Sequence, residues 1–118
     1  MQDYLLIFRG GDTERKQLSP EEGQAHMQRW QEWIAGIAQT DQFGGGHPLA
    51  DTGKVLQGSA KKLTDGPFME GKEIVGGYVV VKARDLDEAV RLASGCPNLE
   101  GESGTVEIRE IGTMGGAV

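Results

Sequence analysis

The stretch from Glu73 to Lys82 constrains this chain most, because it reads as a β-strand that is apolar on both faces. Side chains alternate along a strand, so Ile74, Tyr78 and Val80 point one way and Val75, Val79 and Val81 the other. The run from Tyr4 to Phe8 is likewise apolar on both faces. A sheet covered by helices on one side alone should alternate apolar and polar residues. Two amphipathic helices are legible here, and two helices cover one face. The second face needs another cover: the same face of a second copy, or the stretch from Gly45 to Lys62 folded over it.

The first helix has a strong start. Ser19 is placed as N-cap, Pro20 at the first helical position and Glu22 as the partner that completes a capping box. Trp30, Trp33, Ile34, Ile37 and Ala38 then fall at helical spacing on one stripe, and Gly44-Gly45-Gly46 is expected to end the helix. The second helix opens on Asp85, with Leu86, Ala89, Val90 and Ala93 as its apolar stripe, and stops at Gly95 and Pro97. Between the helices, Lys54 to Thr64 has weak strand character broken by Gly58, as in a hairpin or a bulged edge. Thr105 to Ile111 makes a last strand. The order β-α-β-(β)-β-α-β describes an α+β, ferredoxin-like subunit, an antiparallel sheet with two helices on one face. Its 118 residues suit a single domain.

Charge and cysteine content exclude several functions. Eighteen acidic and twelve basic residues leave a net charge of −6, and no basic run is longer than the pair Lys61-Lys62. Nucleic acids and anionic membranes are polyanions that select basic patches, so neither is an expected partner. No apolar run approaches the ~20 residues of a membrane span, and Asp3 stands where a signal peptide needs positive charge. The single cysteine, Cys96, cannot form an internal disulfide, which points to the reducing cytoplasm. One cysteine and two dispersed histidines do not make a metal site. The glycine run follows a helix instead of opening one, so it is not a dinucleotide fingerprint. No cofactor is expected.

Asp65-Gly66-Pro67-Phe68-Met69-Glu70-Gly71-Lys72-Glu73 leads straight into Ile74-Val75-Gly76-Gly77-Tyr78. Locally this is a turn: Gly66 tolerates unusual backbone angles, Pro67 fixes its own, and Asp65 can bond the backbone ahead of it. The string closely resembles the signature of the DGPF group of YCII-related proteins. Asp85-Leu86-Asp87-Glu88-Ala89, Val106-Glu107-Ile108-Arg109 and the helix start at Leu18-Ser19-Pro20-Glu21-Glu22 fit the same group over nearly the whole chain, although Asp51 to Lys62 looks abbreviated. The resemblance implies a dimeric α+β barrel of ferredoxin-like subunits. It also implies chemistry of the kind suspected in related YCII-like proteins, a His–Asp pair, and some relatives accompany sigma-factor-like proteins.

The candidate site follows from convergence of neighbouring elements. Asp65 is either a carboxylate at a cleft mouth, orienting an imidazole or taking a proton, or a residue that satisfies turn amides. His26 lies four residues before Trp30, where it serves either as a base facing the cleft or as a histidine closing the core stripe. His47, between glycines and Pro48, has no fixed direction. Gly66, Pro67, Phe68, Gly76, Gly77 and Tyr78 are the ligand-binding candidates; the paired glycines mark a close ligand or subunit, or a bulge. Glu70, Lys72 and Glu73 read as a charged rim, and Glu107 and Arg109 share one face of the last strand, where ion pairs to a neighbouring strand are expected. Two functions are consistent with this set. One is a homodimeric module that binds a small organic ligand, with regulation of a partner as one use. The other is a cofactor-independent lyase, isomerase or hydrolase in which His26 or His47 works with Asp65.

Overall fold

In the computed structural model the described residues are 1–11, 16–66 and 74–112. The main sheet has four strands in the order β2-β5-β1-β6, all antiparallel: β1 (Gln2–Arg9), β2 (Phe43–Pro48), β5 (Val75–Ala83) and β6 (Thr105–Glu110). Helices α1 (Pro20–Gln39) and α2 (Leu86–Ala93) complete a ferredoxin-like α+β subunit. A second, two-stranded sheet pairs β3 (Gly53–Gln57) with β4 (Lys62–Gly66).

The helix starts are as the sequence dictates. The Ser19 hydroxyl accepts from the Glu22 amide, the Glu22 carboxylate accepts from the Ser19 amide, and Pro20 opens α1. Asp85 caps α2 by accepting from the Glu88 amide. The ends differ from expectation. Thr40 and a left-handed Asp41, φ 57°, terminate α1, and Gly44-Gly45-Gly46 instead lies within edge strand β2. The glycines fit there because β2 bulges between Phe43 and Gly46, with Gly45 at φ 102°. In α2, Ala89 and Ala93 are buried, whereas Leu86 and Val90 are about half exposed. Ala38 of α1 is also exposed, so the buried stripe narrows to Ile37 with Trp30 and Trp33 packed beside it.

The register sorts the sheet into two faces. Tyr4, Leu6 and Phe8 of β1 join Val79, Val81 and Ala83 of β5 in the core beneath the helices, with Ala89, Ala93 and Cys96. Leu5 and Ile7 pair with Val80 and Tyr78 on the opposite face, half-buried and, among the described residues, away from both helices. One detail corrects the alternation expected of β5. The register shifts between Phe8 and Arg9, so that Gly77 faces Phe8 and Val75 faces Arg9. Gly76 is skipped, and Val75 joins the Tyr78 face instead of the Val79 face.

The β3–β4 hairpin does not cover that open face. Its residues are exposed throughout apart from partial shielding of Val55 and Gly66, and Leu56 and Leu63 stand opposite each other at 67% and 61% exposure. At the other end, a 3-10 turn (Pro97–Glu100) docks against the tip of β1. Buried Asn98 holds it there, donating from Nδ2 to the Arg9 carbonyl at 3.1 Å and the Thr105 carbonyl at 2.8 Å. The backbones approach so closely that a Cβ on Gly104 would lie 1.7 Å from the Asn98 carbonyl. This docking carries Glu100 to the side of α1.

Candidate functional site

A cavity of about 270 Å³ opens between the middle of α1 and the β2 end of the sheet. Its walls follow from residue types already placed. Met27, Trp30 and Ile34 lie on one face of α1 at i, i+3 and i+7, and Phe8 and Phe43 project from β1 and β2. The floor is low because Gly46 and Gly77 carry no side chain where the core face of β2 and β5 meets the cavity. Both glycines also accommodate close strand contact. A Cβ on Gly46 would lie 2.4 Å from the Tyr78 carbonyl, and one on Gly77 would lie 3.0 Å from the His47 carbonyl. Gly76 therefore marks the bulge, one of the two explanations for the strand glycines, whereas Gly77 meets the neighbouring strand β2 of its own subunit; both border the cavity.

The aromatic wall is built edge to face. Phe8 meets Trp30 with ring centroids 5.0 Å apart at 76°, and Trp30 meets Trp33 at 5.7 Å and 83°. Such geometry adds roughly 0.5–1.5 kcal/mol per pair beyond burial. The Trp33 indole N–H donates to the Leu92 carbonyl at 2.9 Å, fixing that ring toward α2. The Trp30 indole N–H donates to Nε2 of His26 at 3.0 Å.

His26 has a second partner. Its Nδ1 lies 3.0 Å from Oε1 of Glu100. Arg29 holds the same carboxylate with both prongs, Nε to Oε2 at 2.7 Å and Nη2 to Oε1 at 2.9 Å. These hydrogen bonds from Arg29, with that from His26, hold the Glu100 carboxyl below the usual carboxylate range despite partial desolvation. The group borders a second, smaller cavity of about 130 Å³ that also touches Gly11, Leu18 and Gly101. Asn98 lies on the boundary and lines both cavities.

The residues singled out in the sequence are distributed as follows. Gly76, Gly77 and Tyr78 line the larger cavity together with His47, whose ring sits 5.9 Å from that of Tyr78. His26 lines the smaller cavity and reaches the larger one only through Trp30. Asp65 is 90% exposed and ion-paired with Lys54 across the β3–β4 hairpin, and Gly66 is the last residue of β4. Asp65 and Gly66 are thus strand residues, where the sequence reads as a turn, because each pairs with a β3 residue. Within one subunit the structure does not bring Asp65 and His26 together; the imidazole pairs with Glu100. Pro67 and Phe68, with Glu70, Lys72 and Glu73, lie outside the described residues. Glu107 forms its cross-strand ion pair with Arg9 at 2.5 Å, and Arg109 stands 3.9 Å away.

Three contributors went unread in the sequence: Glu100, Asn98 and Arg29. Arg29 follows His26 by one helical turn, a spacing that already places them side by side. Glu100 carries no such signal, because 74 residues separate it from His26. Cys96 is buried, and burial pushes its thiol up to about 12, so it is no nucleophile at neutral pH.

The element order, the β2-β5-β1-β6 sheet and the two helices define a ferredoxin-like α+β subunit. The chain belongs to the YCII-related domain family, which matches residues 11–114. Among solved structures it is similar to the 5-chloro-2-hydroxyhydroquinone dehydrochlorinase of Burkholderia phenoliruptrix AC1100, in complex with 2,5-dihydroxybenzoquinone. That likeness has a TM-score of 0.51 at 11% identity and covers 96% of each chain, a correspondence of fold. No curated protein matches the chain in sequence. Among the described residues, no helix is long and apolar enough to cross a membrane.

Proposed function

We propose that the protein is a homodimeric binding module for a small, flat, largely apolar molecule held between α1 and the glycine-floored end of the sheet. The observation that carries this reading is the 270 Å³ cavity walled by Phe8, Trp30, Ile34 and Phe43. Pockets for drug-sized ligands run to roughly 300–1,000 Å³, so this one suits a single ring with short substituents. The dehydrochlorinase was solved with 2,5-dihydroxybenzoquinone, a compound of that size, which makes substituted quinones and hydroquinones the first probes. Gly76, Gly77 and Tyr78 belong to the proposed site. Ligand contacts by Asp65 and Gly66 would require the β3–β4 arm of a partner subunit, and Pro67 and Phe68 remain part of the proposal. The dimer is proposed through the open face of Leu5, Ile7, Tyr78 and Val80, over which, among the described residues, no helix lies. A reducing, cytoplasmic setting agrees with one buried, free Cys96.

The second reading is a cofactor-independent enzyme working through His26 and a carboxylate, and the contact with Glu100 favours it. Against it, both ring nitrogens of His26 are engaged, one by Glu100 and one by Trp30, so neither faces the larger cavity. Thermal-shift and tryptophan-fluorescence titrations with 2,5-dihydroxybenzoquinone and hydroquinone test the binding reading. Saturation at 100 times Kd stabilises by about 2.7 kcal/mol, and Ile34→Trp, which fills the cavity, should abolish the shift while the protein stays folded. Failure of every ring compound to raise the melting temperature overturns the module. Consumption of probe beyond one equivalent, followed by its absorbance, would establish the enzyme instead.

A further inference from the structure

The bond between Trp30 and His26 imposes a definite protonation pattern. An indole N–H only donates, so Nε2 of His26 must present its lone pair to accept at 3.0 Å. The ring proton then sits on Nδ1, where it is donated to Oε1 of Glu100. Arg29 fixes that carboxylate in place through two further bonds, and the 3-10 turn bearing Glu100 is itself pinned by Asn98. The chain Arg29–Glu100–His26–Trp30 therefore runs from the smaller cavity to the wall of the larger one.

The chain matters for what the larger cavity accepts. With its N–H turned toward His26, Trp30 offers the cavity only its carbon surface. Protonation of Nε2 removes the acceptor and sets two N–H groups against each other. Trp30 must then turn to find another acceptor, which alters both the position and the polarity of the wall. The charged groups facing His26, among the described residues, are Glu100 from the 3-10 turn and Arg29 from its own helix. The tip of β1 and the segment before α1 contribute Gly11 and Leu18 to the same small cavity, and neither titrates.

We propose that His26 is a positioning residue that locks Trp30 as the apolar wall of the ligand cavity, and that protonation of His26 unlocks it, so that ligand affinity falls in acid. The part concerning affinity rests on the binding function proposed above; the lock itself does not. Trp33 provides an internal control, since its N–H bonds a backbone carbonyl that cannot titrate.

The experiment follows the two indole N–H resonances in ¹⁵N-labelled, ligand-free protein from about pH 8 to pH 5, the range in which imidazole side chains ordinarily change charge. The Trp30 resonance is expected to move while that of Trp33 stays. In His26→Gln, whose amide oxygen accepts without titrating, the Trp30 resonance should stay still across the same range. Glu100→Gln, which removes the negative charge beside Nδ1, should displace the Trp30 response to lower pH. For 2,5-dihydroxybenzoquinone, affinity in the parent should drop roughly five- to tenfold in acid, the equivalent of one lost hydrogen bond, and remain flat in His26→Gln. A Trp30 resonance that does not move, or that moves equally in His26→Gln, overturns the lock. A Trp30 response with no binding of 2,5-dihydroxybenzoquinone or hydroquinone at either pH leaves the lock standing and refutes the binding function.

Discussion

Replacing the glycines of the cavity floor one at a time by alanine tests the account of β2 and β5 at its most specific point. None of Gly46, Gly76 and Gly77 has a positive φ, so the substitutions carry no backbone penalty of that kind. Alanine also restricts the unfolded chain, a gain of about 0.4–1 kcal/mol where the native geometry tolerates it. A Cβ on Gly76 meets only the Phe8 carbonyl, at 3.9 Å. Gly76→Ala should therefore be neutral or slightly stabilising. On Gly77 the Cβ meets the His47 carbonyl at 3.0 Å and Pro48 Cα at 3.1 Å, and edge strand β2 must give way by tenths of an ångström. Overpacking costs about 1–3 kcal/mol, and an edge strand that yields places Gly77→Ala near the lower end. On Gly46 the Cβ meets the Tyr78 carbonyl at 2.4 Å and Val79 Cα at 2.9 Å. Those atoms belong to β5, which β1 holds from its other side, so Gly46→Ala should cost about 3 kcal/mol. With a urea m-value of about 1.5 kcal/mol/M, the unfolding midpoint should fall by about 2 M for Gly46→Ala and well under 1 M for Gly77→Ala. Equal midpoints, or Gly76→Ala as the costliest change, would refute the register and the bulge.

Three further outcomes follow from particular contacts. The Glu100 carboxyl is held below its ordinary range, so the stability it contributes is present above the carboxylate range of the unfolded chain and is lost as pH falls through the lower, folded-state value; acid titration of the unfolding midpoint should show this loss, and Glu100→Gln should not. Light scattering at micromolar concentration should report about twice 12.7 kDa, and Ile7→Asp, set into the open apolar face, should halve that mass with retained circular dichroism; a parent that is monomeric and well folded removes the dimer. Asp65→Asn should leave the melting temperature unchanged, because its ion pair with Lys54 is exposed on the arm; a large loss would mean that the arm packs against something in solution.

Local signals in the sequence determined the elements of this protein. The capping box at Ser19, Pro20 and Glu22 and the cap at Asp85 act within three residues of themselves, so both helix starts were legible without a partner. The two-faced strands at Tyr4–Phe8 and Val75–Ala83 announced a sheet with one face left open, because alternation is a property of the strand alone. The motif beginning at Asp65 was sufficient to point to the family that matches residues 11–114.

Tertiary structure decided everything that depends on contact across the chain. Whether Gly44-Gly45-Gly46 ends a helix or runs along a sheet edge depended on β5 being there to pair with it. The face of Val75 depended on one skipped residue, and a single bulge reverses every alternation beyond it. The sequence left His26 either as a base paired with Asp65 or as a histidine closing the core stripe. The imidazole found Glu100 because Asn98 ties the 3-10 turn to β1, while the pairing of β3 with β4 holds Asp65 to Lys54 on the arm. A hydrogen bond between residues 74 positions apart leaves no periodicity in the sequence to read. It exists only once the docked 3-10 turn has brought Glu100 beside α1.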